Sequence, residues 1–315
     1  MLKKRSTPFI RFCCYVLLFF QVPSAEATEE NPQDTLNEWL FDCNLICERY
    51  QATFGEYPNL SNPTTFNEKI AYKQLYDRRP ILTQIADKIK VRNFVEARIG
   101  SEYLQQIYQI AKRPEEIDWD RLPSKFVIKT NHGSGWNIIV PDKSALDRKK
   151  AQAQLRKWLN TNYYDQSREW CYKHIPRRVF VEKMLLDDQG KIPTDWKFFV
   201  FSGHALYIQV NINRFENNQC NIYDRNLQKV NVRYHCDNFS SEIVFPPNIE
   251  DMFAIAERLG EGFDFIRVDL YNVNGRIYFG ELTNYPLAGL ARFTPEEFDR
   301  QLGDCWAVPE SYSLR

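Results

Sequence analysis

Four side chains in the sequence could together bind a nucleotide and a divalent metal. Lys129 and Lys197 each lie at or within an apolar run, and Asp269 and Glu281 lie in two later runs. Mg²⁺ commonly binds one or two protein carboxylates together with substrate phosphates, and lysine supplies a point charge to phosphate. The four residues therefore predict a Mg²⁺-nucleotide site, provided that the fold brings them together.

The metal pair depends on the turn between the last two runs, Asn272-Val273-Asn274-Gly275. A type I turn followed by a left-handed glycine gives a three-residue loop with a bulge at Gly275. Asp269 and Glu281 then lie on one face as diagonal neighbours. A two-residue turn at Asn274-Gly275 would put them on opposite faces, because a shift of one residue reverses every side chain. We therefore predict a bulge at Gly275 if both acids hold one metal; the alternative is a solvated hairpin with two surface acids.

A glycine-bearing loop, Asn131-His132-Gly133-Ser134-Gly135-Trp136-Asn137, follows Lys129 and separates two short predicted strands. Small residues let backbone N–H groups approach a phosphate. The loop matches neither the P-loop nor the dinucleotide fingerprint, and its serine lacks the flanking glycines of a nucleophile elbow. The pattern favours a phosphate cradle, with an ordinary glycine hairpin as the alternative.

The elements that must position these residues are helical first and mixed later. Apolar spacing predicts helices over 35–54, 66–76 and 81–99, the second with a capping box at Thr65 and Glu68 and the third ending at Gly100. Alternating and apolar runs then predict strands over 126–129, 138–140, 178–185, 193–201 and 204–210. Helices are predicted at 144–160 and 249–259. The first region is therefore predicted to be helical, and the later one to contain both strands and helices.

The net charge of the chain and its N-terminal segment indicate which partners and which cellular compartment to expect. The 41 basic and 41 acidic residues balance, and no basic stripe is visible, so nucleic acid is not an expected partner. Lys and Arg residues precede an apolar run at 12–22, followed by Ala25-Glu26-Ala27. This pattern predicts a signal peptide over 1–27 and an exported protein. An uncleaved leader that anchors the chain is the alternative, and it would be the only membrane contact.

Cysteine usage agrees with export. Of the eight cysteines, Cys13 and Cys14 fall in the leader, which leaves six in the mature chain. An even number permits disulfides but does not give their pairing. A bond between Cys43 and Cys47, four residues apart on one helix, would be strained.

The order of these motifs resembles the ATP-grasp fold, and more closely the TupA-like ATP-grasp family of bacterial cell-surface polysaccharide biosynthesis. The resemblance covers about residues 45–310. The matching segments are N-P-T-T-F-N-E-K-I (62–70), A-D-K (86–88), K-T-N-H-G-S-G-W-N (129–137), R-E-W (168–170), V-E-K (181–183), D-W-K-F-F (195–199), Y-D (223–224), R-V-D-L-Y (267–271), G-R-I-Y-F-G-E-L-T (275–283) and F-T-P-E-E (293–297).

The resemblance implies an α+β fold of two lobes that hold ATP between them, preceded by an N-terminal helical region. The implied division is a leader at 1–27, a helical region at 28–110, a lobe with the glycine loop at 111–182 and a catalytic lobe with the metal hairpin at 183–315.

The resemblance also implies roles for individual residues. Lys129 and Lys197 would contact the ATP phosphates, and the loop with His132, Gly133, Ser134 and Gly135 would close over them. Glu182 and Lys183 would begin the linker along the adenine. Asp269 and Glu281 would hold Mg²⁺, with Thr283 as a weaker oxygen ligand where many relatives have Asn. Arg267 and Arg214 would steady the acceptor or an acyl-phosphate.

These parts imply an ATP-dependent ligase. A substrate carboxylate would attack the γ-phosphate, and the acyl-phosphate would react with an amine on a glycan or glycopeptide. The first alternative is a kinase or glycosyltransferase on the same scaffold, although the D-x-D motif of a metal-dependent glycosyltransferase is not completed at Asp264-Phe265-Ile266. The second alternative is a protein that binds a nucleotide or glycan without catalysis.

Overall fold

The computed structural model describes residues 32–213 and 217–312. The predicted leader and Arg214 lie outside these residues. Within them, no helix is long and apolar enough to cross a membrane.

The described chain begins with four helices: α1 (Pro32–Phe54), α2 (Phe66–Tyr76), α3 (Pro80–Ala86) and α4 (Val91–Ile99). The capping box predicted at Thr65 and Glu68 is confirmed at the start of α2. The single helix predicted over 81–99 is wrong, because the chain turns between α3 and α4. The carboxylate of Asp87 accepts hydrogen bonds from the N–H of Ile89 at 2.9 Å and from the Asn131 side chain at 2.9 Å. This turn brings Lys88 beside the glycine loop.

A four-stranded antiparallel sheet follows, with the order β1-β4-β2-β3. Its strands are β1 (Ile107–Ala111), β2 (Phe126–Thr130), β3 (Asn137–Val140) and β4 (Val179–Lys183). Between β3 and β4 lie helices α5 (Arg148–Leu159) and α6 (Tyr163–Ser167). Alternate residues of the central strands, among them Ile128 and Val181, pack with Leu155 of α5. The other face of β2 and β4 is left for the cleft.

The larger sheet is antiparallel, with the order β11-β10-β5-β6-β7-β8. The strands after β4 are β5 (Asp195–Phe201), β6 (His204–Ile212), β7 (Gln219–Asp224), β8 (Lys229–Val230), β9 (Arg233–Tyr234), β10 (Phe265–Val273), β11 (Arg276–Thr283) and β12 (Phe293–Thr294). β9 pairs with β12 outside this sheet. Helix α7 (Ile249–Gly260) covers one face, where the rings of Phe198 and Phe253 meet at 5.0 Å. Helix α8 (Glu297–Asp304) follows β12.

The N-terminal helices and the larger sheet share one hydrophobic core. Phe66 of α2 is fully buried, and its ring lies 5.0 Å from Phe265, 5.9 Å from Phe199 and 5.8 Å from Trp306. Aromatic burial of this size is a major contribution to stability. The fold class predicted from the sequence, α+β with an N-terminal helical region, is confirmed; the residue bounds of the predicted division remain a prediction.

Candidate active site

The hairpin of β10 and β11 turns differently from the prediction. Val273 pairs with Arg276, and both Asn274 and Gly275 have positive φ, 54° and 79°. This is a two-residue turn of the kind favoured by Asn-Gly. The predicted bulge at Gly275 is therefore wrong. The register shifts instead between Asp269 and Leu270, and Asp269 is the direct partner of Glu281, so the two acids do share a face.

Gly280 is the extra residue that produces this shift, since Leu270 pairs with Phe279 and Asp269 with Glu281. A Cβ atom on Gly280 would lie 2.8 Å from the carbonyl oxygen of Asp269 and 3.1 Å from the ring of Tyr271. Only glycine fits so close to the opposite strand. A glycine inside a strand is the sequence signal for such a bulge, and it could have located this one.

Asp269 is buried between two cations. Arg267 reaches both of its oxygens, at 2.7 Å and 2.8 Å, and the ammonium of Lys197 lies 2.6 Å from Oδ2. Lys197 also contacts Asp195 at 2.7 Å. Burial raises the pKa of Asp269 above its usual value, although Arg267 and Lys197 oppose this effect. The carboxylates of Asp195 and Asp269 are thus balanced by the cations Lys197 and Arg267, and buried charges require such pairing.

Glu281 is the more accessible of the two acids, with a side chain 35 % exposed. Its Oε1 accepts hydrogen bonds from Arg267 Nη2 at 3.2 Å and from the Thr283 hydroxyl at 3.2 Å. Among the described residues, no group of three or more His, Cys, Asp or Glu side chains could hold a metal. Two carboxylates on one face nevertheless suit Mg²⁺ when substrate phosphates supply further oxygens.

The smaller sheet supplies the opposite wall of a cleft. Lys129 pairs with Phe180 and Val127 with Glu182, so all four side chains lie on the face that α5 leaves open. Lys129 Nζ lies 2.5 Å from Glu182 Oε1. The cleft between the sheets is lined by charged and apolar residues, including Lys88, Lys129, Ser134, Gly135, Trp136, Glu182, Lys183, Met184, Leu185, Tyr271, Asp269 and Glu281.

The glycine loop presents only some of its residues to this cleft. Ser134 and Gly135 line it, and the latter has a φ of 72°. His132 is buried away from the cleft, with Nε2 3.1 Å from the carbonyl oxygen of Trp158. Burial lowers the pKa of His132. Contact of His132 and Gly133 with ATP remains a prediction.

The structure brings together most of the predicted site residues. Lys129, Glu182, Lys183, Asp269 and Glu281 line the cleft. Three predicted residues do not line the cleft. Lys197 and Arg267 contact Asp269, and Thr283 contacts Glu281. Arg214 lies outside the described residues. The assigned roles remain predictions.

Sequence reasoning assigned no role to Lys88 or Glu169, which both occur in segments that carried the resemblance. Lys88 lines the cleft and donates a hydrogen bond to the Gly133 carbonyl at 2.8 Å. Burial lowers the pKa of Lys88, against the opposing effect of Glu281. Burial raises the pKa of Glu169 to about 8, an effect opposed by Lys88 and increased by Glu281. The signal that could have found them is their presence in A-D-K and R-E-W.

The chain belongs to the TupA-like ATP-grasp family, whose model matches residues 68–307. The ATP-grasp fold expected from the motifs is confirmed, and the expected enzyme class, an ATP-grasp ligase, agrees with this family. No curated protein matches the sequence.

Solved ATP-grasp ligases show weak similarity. The D-alanine–D-alanine ligase from Bacillus anthracis, complexed with ATP, has 14% identity and a TM-score of 0.39, covering 65% of this chain and 55% of that one. The L-amino acid ligase from Bacillus licheniformis has 12% identity and a TM-score of 0.40, covering 79% and 56%. The ligase PsnB, complexed with minimal precursor, Mg and ADP, has 11% identity and a TM-score of 0.37, covering 82% and 67%. The chain thus spans little more than half of the first two structures, and the family assignment rests on the sequence match alone.

Proposed function

We propose that the protein is a Mg²⁺-ATP-dependent ligase that joins a carboxylate to an amine on a cell-surface glycan or glycopeptide. One observation carries the proposal: the cleft has Lys129 and Glu182 on one wall and Asp269 and Glu281 on the other. A nucleotide between them would meet a lysine, a glycine loop and a pair of acids. The family membership of the chain supports the same activity.

The cleft has apolar as well as charged lining residues. The apolar ones include Val127, Phe180, Met184 and Leu185, which would suit a planar base with backbone groups after Glu182 to read its edge. Lys129, Ser134 and Gly135 would face the phosphates. Asp269 and Glu281 would hold Mg²⁺, which when bound would neutralise charge on the transferring phosphoryl group.

The reaction requires no protein nucleophile. A substrate carboxylate oxygen would bond to the γ-phosphorus as the bond to ADP breaks, which gives an acyl-phosphate. An amine nitrogen would then bond to the acyl carbon, phosphate would leave, and the amine would lose a proton. Lys197 lies 2.7 Å from Asp195 and 2.6 Å from Asp269, and it would balance the charge of the Asp269 carboxylate and hold it in place for Mg²⁺.

Export of the protein is part of the proposal. The predicted leader supports it, and so does the disulfide between Cys220 and Cys236, since disulfides persist in oxidising compartments. The alternative within this proposal is that an uncleaved leader anchors the protein to a membrane.

Thermal unfolding with and without Mg²⁺-ATP tests the nucleotide site. A ligand at about 100 times its dissociation constant stabilises a protein by about 2.7 kcal/mol, so the melting temperature of the wild type should rise. In Glu281→Gln, most of the Mg²⁺-dependent rise in melting temperature should be lost. Glu261→Gln, at an exposed position, should show the same rise as the wild type. Absence of any shift in the wild type contradicts the proposed function.

The chemistry needs a separate assay. Incubation with Mg²⁺-ATP and cell-wall glycopeptide fragments should release ADP and phosphate, and hydroxylamine should trap the activated carboxylate as a hydroxamate. Release of ADP with a phosphorylated hydroxyl product and no hydroxamate would instead identify a kinase.

A further inference from the structure

A second cavity adjoins the nucleotide cleft and carries an excess of positive charge. Arg92, Gln105 and Lys183 line both cavities. The second cavity also has Arg276 in its lining, and Glu96 is the only acid among the described residues that line it. Three cations and one acid leave a net charge of +2. The cavity encloses about 430 Å³, which is within the range of small-molecule sites.

The segment 102–106 brings the three cations together. Three of its carbonyl oxygens accept hydrogen bonds from these residues; they belong to Glu102, Gln105 and Gln106. Arg276 Nη2 donates to the first at 3.3 Å, Arg92 Nη2 to the second at 2.8 Å, and the backbone N–H of Lys183 to the third at 2.8 Å. The cations come from β11, α4 and β4, so one short segment gathers positive charge from a helix and from both sheets.

No carboxylate neutralises these cations. Within the part of the chain that the structure describes, no Asp or Glu oxygen lies within 4.0 Å of a charged nitrogen of Arg92, Lys183 or Arg276. The guanidinium of Arg276 lies 5.0 Å from the ring centre of Tyr278, which also lines the cavity. This contact positions the guanidinium without neutralising it. The side chains of Lys183 and Arg276 are exposed, so a solute reaches both, and an anion there relieves the repulsion between them.

A phosphate group suits this cavity better than a carboxylate does. A phosphate monoester carries a charge of about −1.5 to −2 at pH 7, which matches the charge of the lining, whereas a carboxylate carries a single charge. Each guanidinium donates to a carbonyl through Nη2 and has further N–H groups, which bind phosphate oxygens in a fork. Ser101, Asn93 and Gln106 also line the cavity, and their side chains suit the hydroxyl groups of an attached organic part.

We propose that Arg92, Lys183 and Arg276 bind the phosphate group of a small phosphorylated ligand beside the nucleotide cleft. The site is additional to the proposed ligase chemistry and does not depend on which reaction the cleft performs. The cavity is larger than a phosphate ion, so a sugar phosphate fills it more completely than inorganic phosphate does.

Calorimetric titration of the full-length protein tests this site, with inorganic phosphate and glucose 6-phosphate as the probes. The protein is titrated alone and again after saturation with Mg²⁺ and a non-hydrolysable ATP analogue, which keeps the probes out of the nucleotide cleft. Both probes should bind in both titrations, the sugar phosphate more tightly, and uncharged glucose should not bind. Equal affinities for the two probes would show that the site recognises the phosphate group alone.

The variant Arg276→Gln should weaken the binding of both probes about tenfold, because it removes charge-assisted hydrogen bonds to phosphate. Its thermal shift with Mg²⁺-ATP should equal that of the wild type, which shows that the fold and the cleft are intact. Arg121→Gln, at an exposed position outside the cavity, should bind the probes as the wild type does.

Three results would overturn the site: no binding of either probe to the wild type, unchanged binding in Arg276→Gln, or loss of binding when the ATP analogue is present. The last result would make the cavity part of the nucleotide site. Failure of the proposed ligase function looks different, because the thermal shift with Mg²⁺-ATP would be absent while the probes still bind.

Discussion

Lys88 joins the turn after α3 to the glycine loop through its hydrogen bond to the Gly133 carbonyl. Lys88→Met removes a charge-assisted bond worth about 1.5–3 kcal/mol and a positive charge from the cleft. We expect Mg²⁺-ATP affinity to fall about tenfold, equivalent to about 1.4 kcal/mol. Calorimetric titration of the variant measures this, with Lys90→Met at an exposed position as the control. Equal affinities of the two variants would contradict a role for Lys88 in the site.

Glu169 should make stability depend on pH in a defined direction. Its pKa in the folded protein is raised from 4.5 to about 8, so between these values the folded state binds more protons than the unfolded state. The free energy of unfolding therefore falls as pH rises through this range. Glu169→Gln removes this term, at most about 1.4 kcal/mol per pH unit. Urea unfolding should give similar stabilities at pH 5 and a more stable variant at pH 8.5; a gap that is independent of pH would refute the assignment.

The types of the residues in the sequence predicted much of the site. The positions of the remaining residues depend on contacts between distant segments, which the sequence does not show. Lys129, Asp269 and Glu281 were recognisable because their charges stand out in apolar runs. The position of Lys88 was not, because Asp87 ends α3 through bonds to Ile89 and Asn131, and the second of these is a tertiary contact. The buried orientation of His132 likewise depends on Trp158, which lies on α5.

The β10–β11 hairpin shows how one element aligns the two acids. Gly280→Ala would place Cβ 2.8 Å from the Asp269 carbonyl oxygen, which should cost about 1–3 kcal/mol and displace Glu281. Gly275→Ala has open space but a φ of 79°, and should cost about 1–2 kcal/mol. We expect only Gly280→Ala to lose Mg²⁺-dependent stabilisation by ATP, as measured by thermal unfolding. If Gly275→Ala loses it equally, the bulge is not what aligns the acids.

Sequence patterns predicted the elements better than their registers. The capping box of α2 formed as expected because it needs only two residues that lie three apart in the sequence. The hairpin register depended on where one extra residue sits, and two places, Gly275 and Gly280, give the same shared face for Asp269 and Glu281. Strand pairing across β5, β6 and β10 decides between such alternatives, and it involves segments far apart in the sequence.

At the scale of the whole molecule, helix α2 and the larger sheet are joined by a buried ion cluster. Asp264, just before β10, accepts hydrogen bonds from Lys73 at 2.5 Å, Trp306 at 2.8 Å and Tyr312 at 2.9 Å. Burial acts to raise the pKa of Asp264, but Lys73 and the two hydrogen bonds lower it below its usual 3.8. No local pattern in the sequence links these three segments.

Lys73→Met should therefore destabilise the entire fold. Removing one partner of a buried pair typically costs about 3–5 kcal/mol, and one cooperative urea transition should remain because helices and sheet share a core. The wild type loses the contribution of Asp264 as pH falls below about 3.8, since the folded state then takes up the proton less readily than the unfolded state. The difference in free energy of unfolding between the wild type and Lys73→Met should accordingly become smaller from pH 7 to pH 3.5.

The double variant Lys73→Met/Asp264→Asn should recover part of the lost stability at pH 7, because no uncompensated charge stays buried. If the double variant is destabilised by the sum of the two single effects, the two residues act independently.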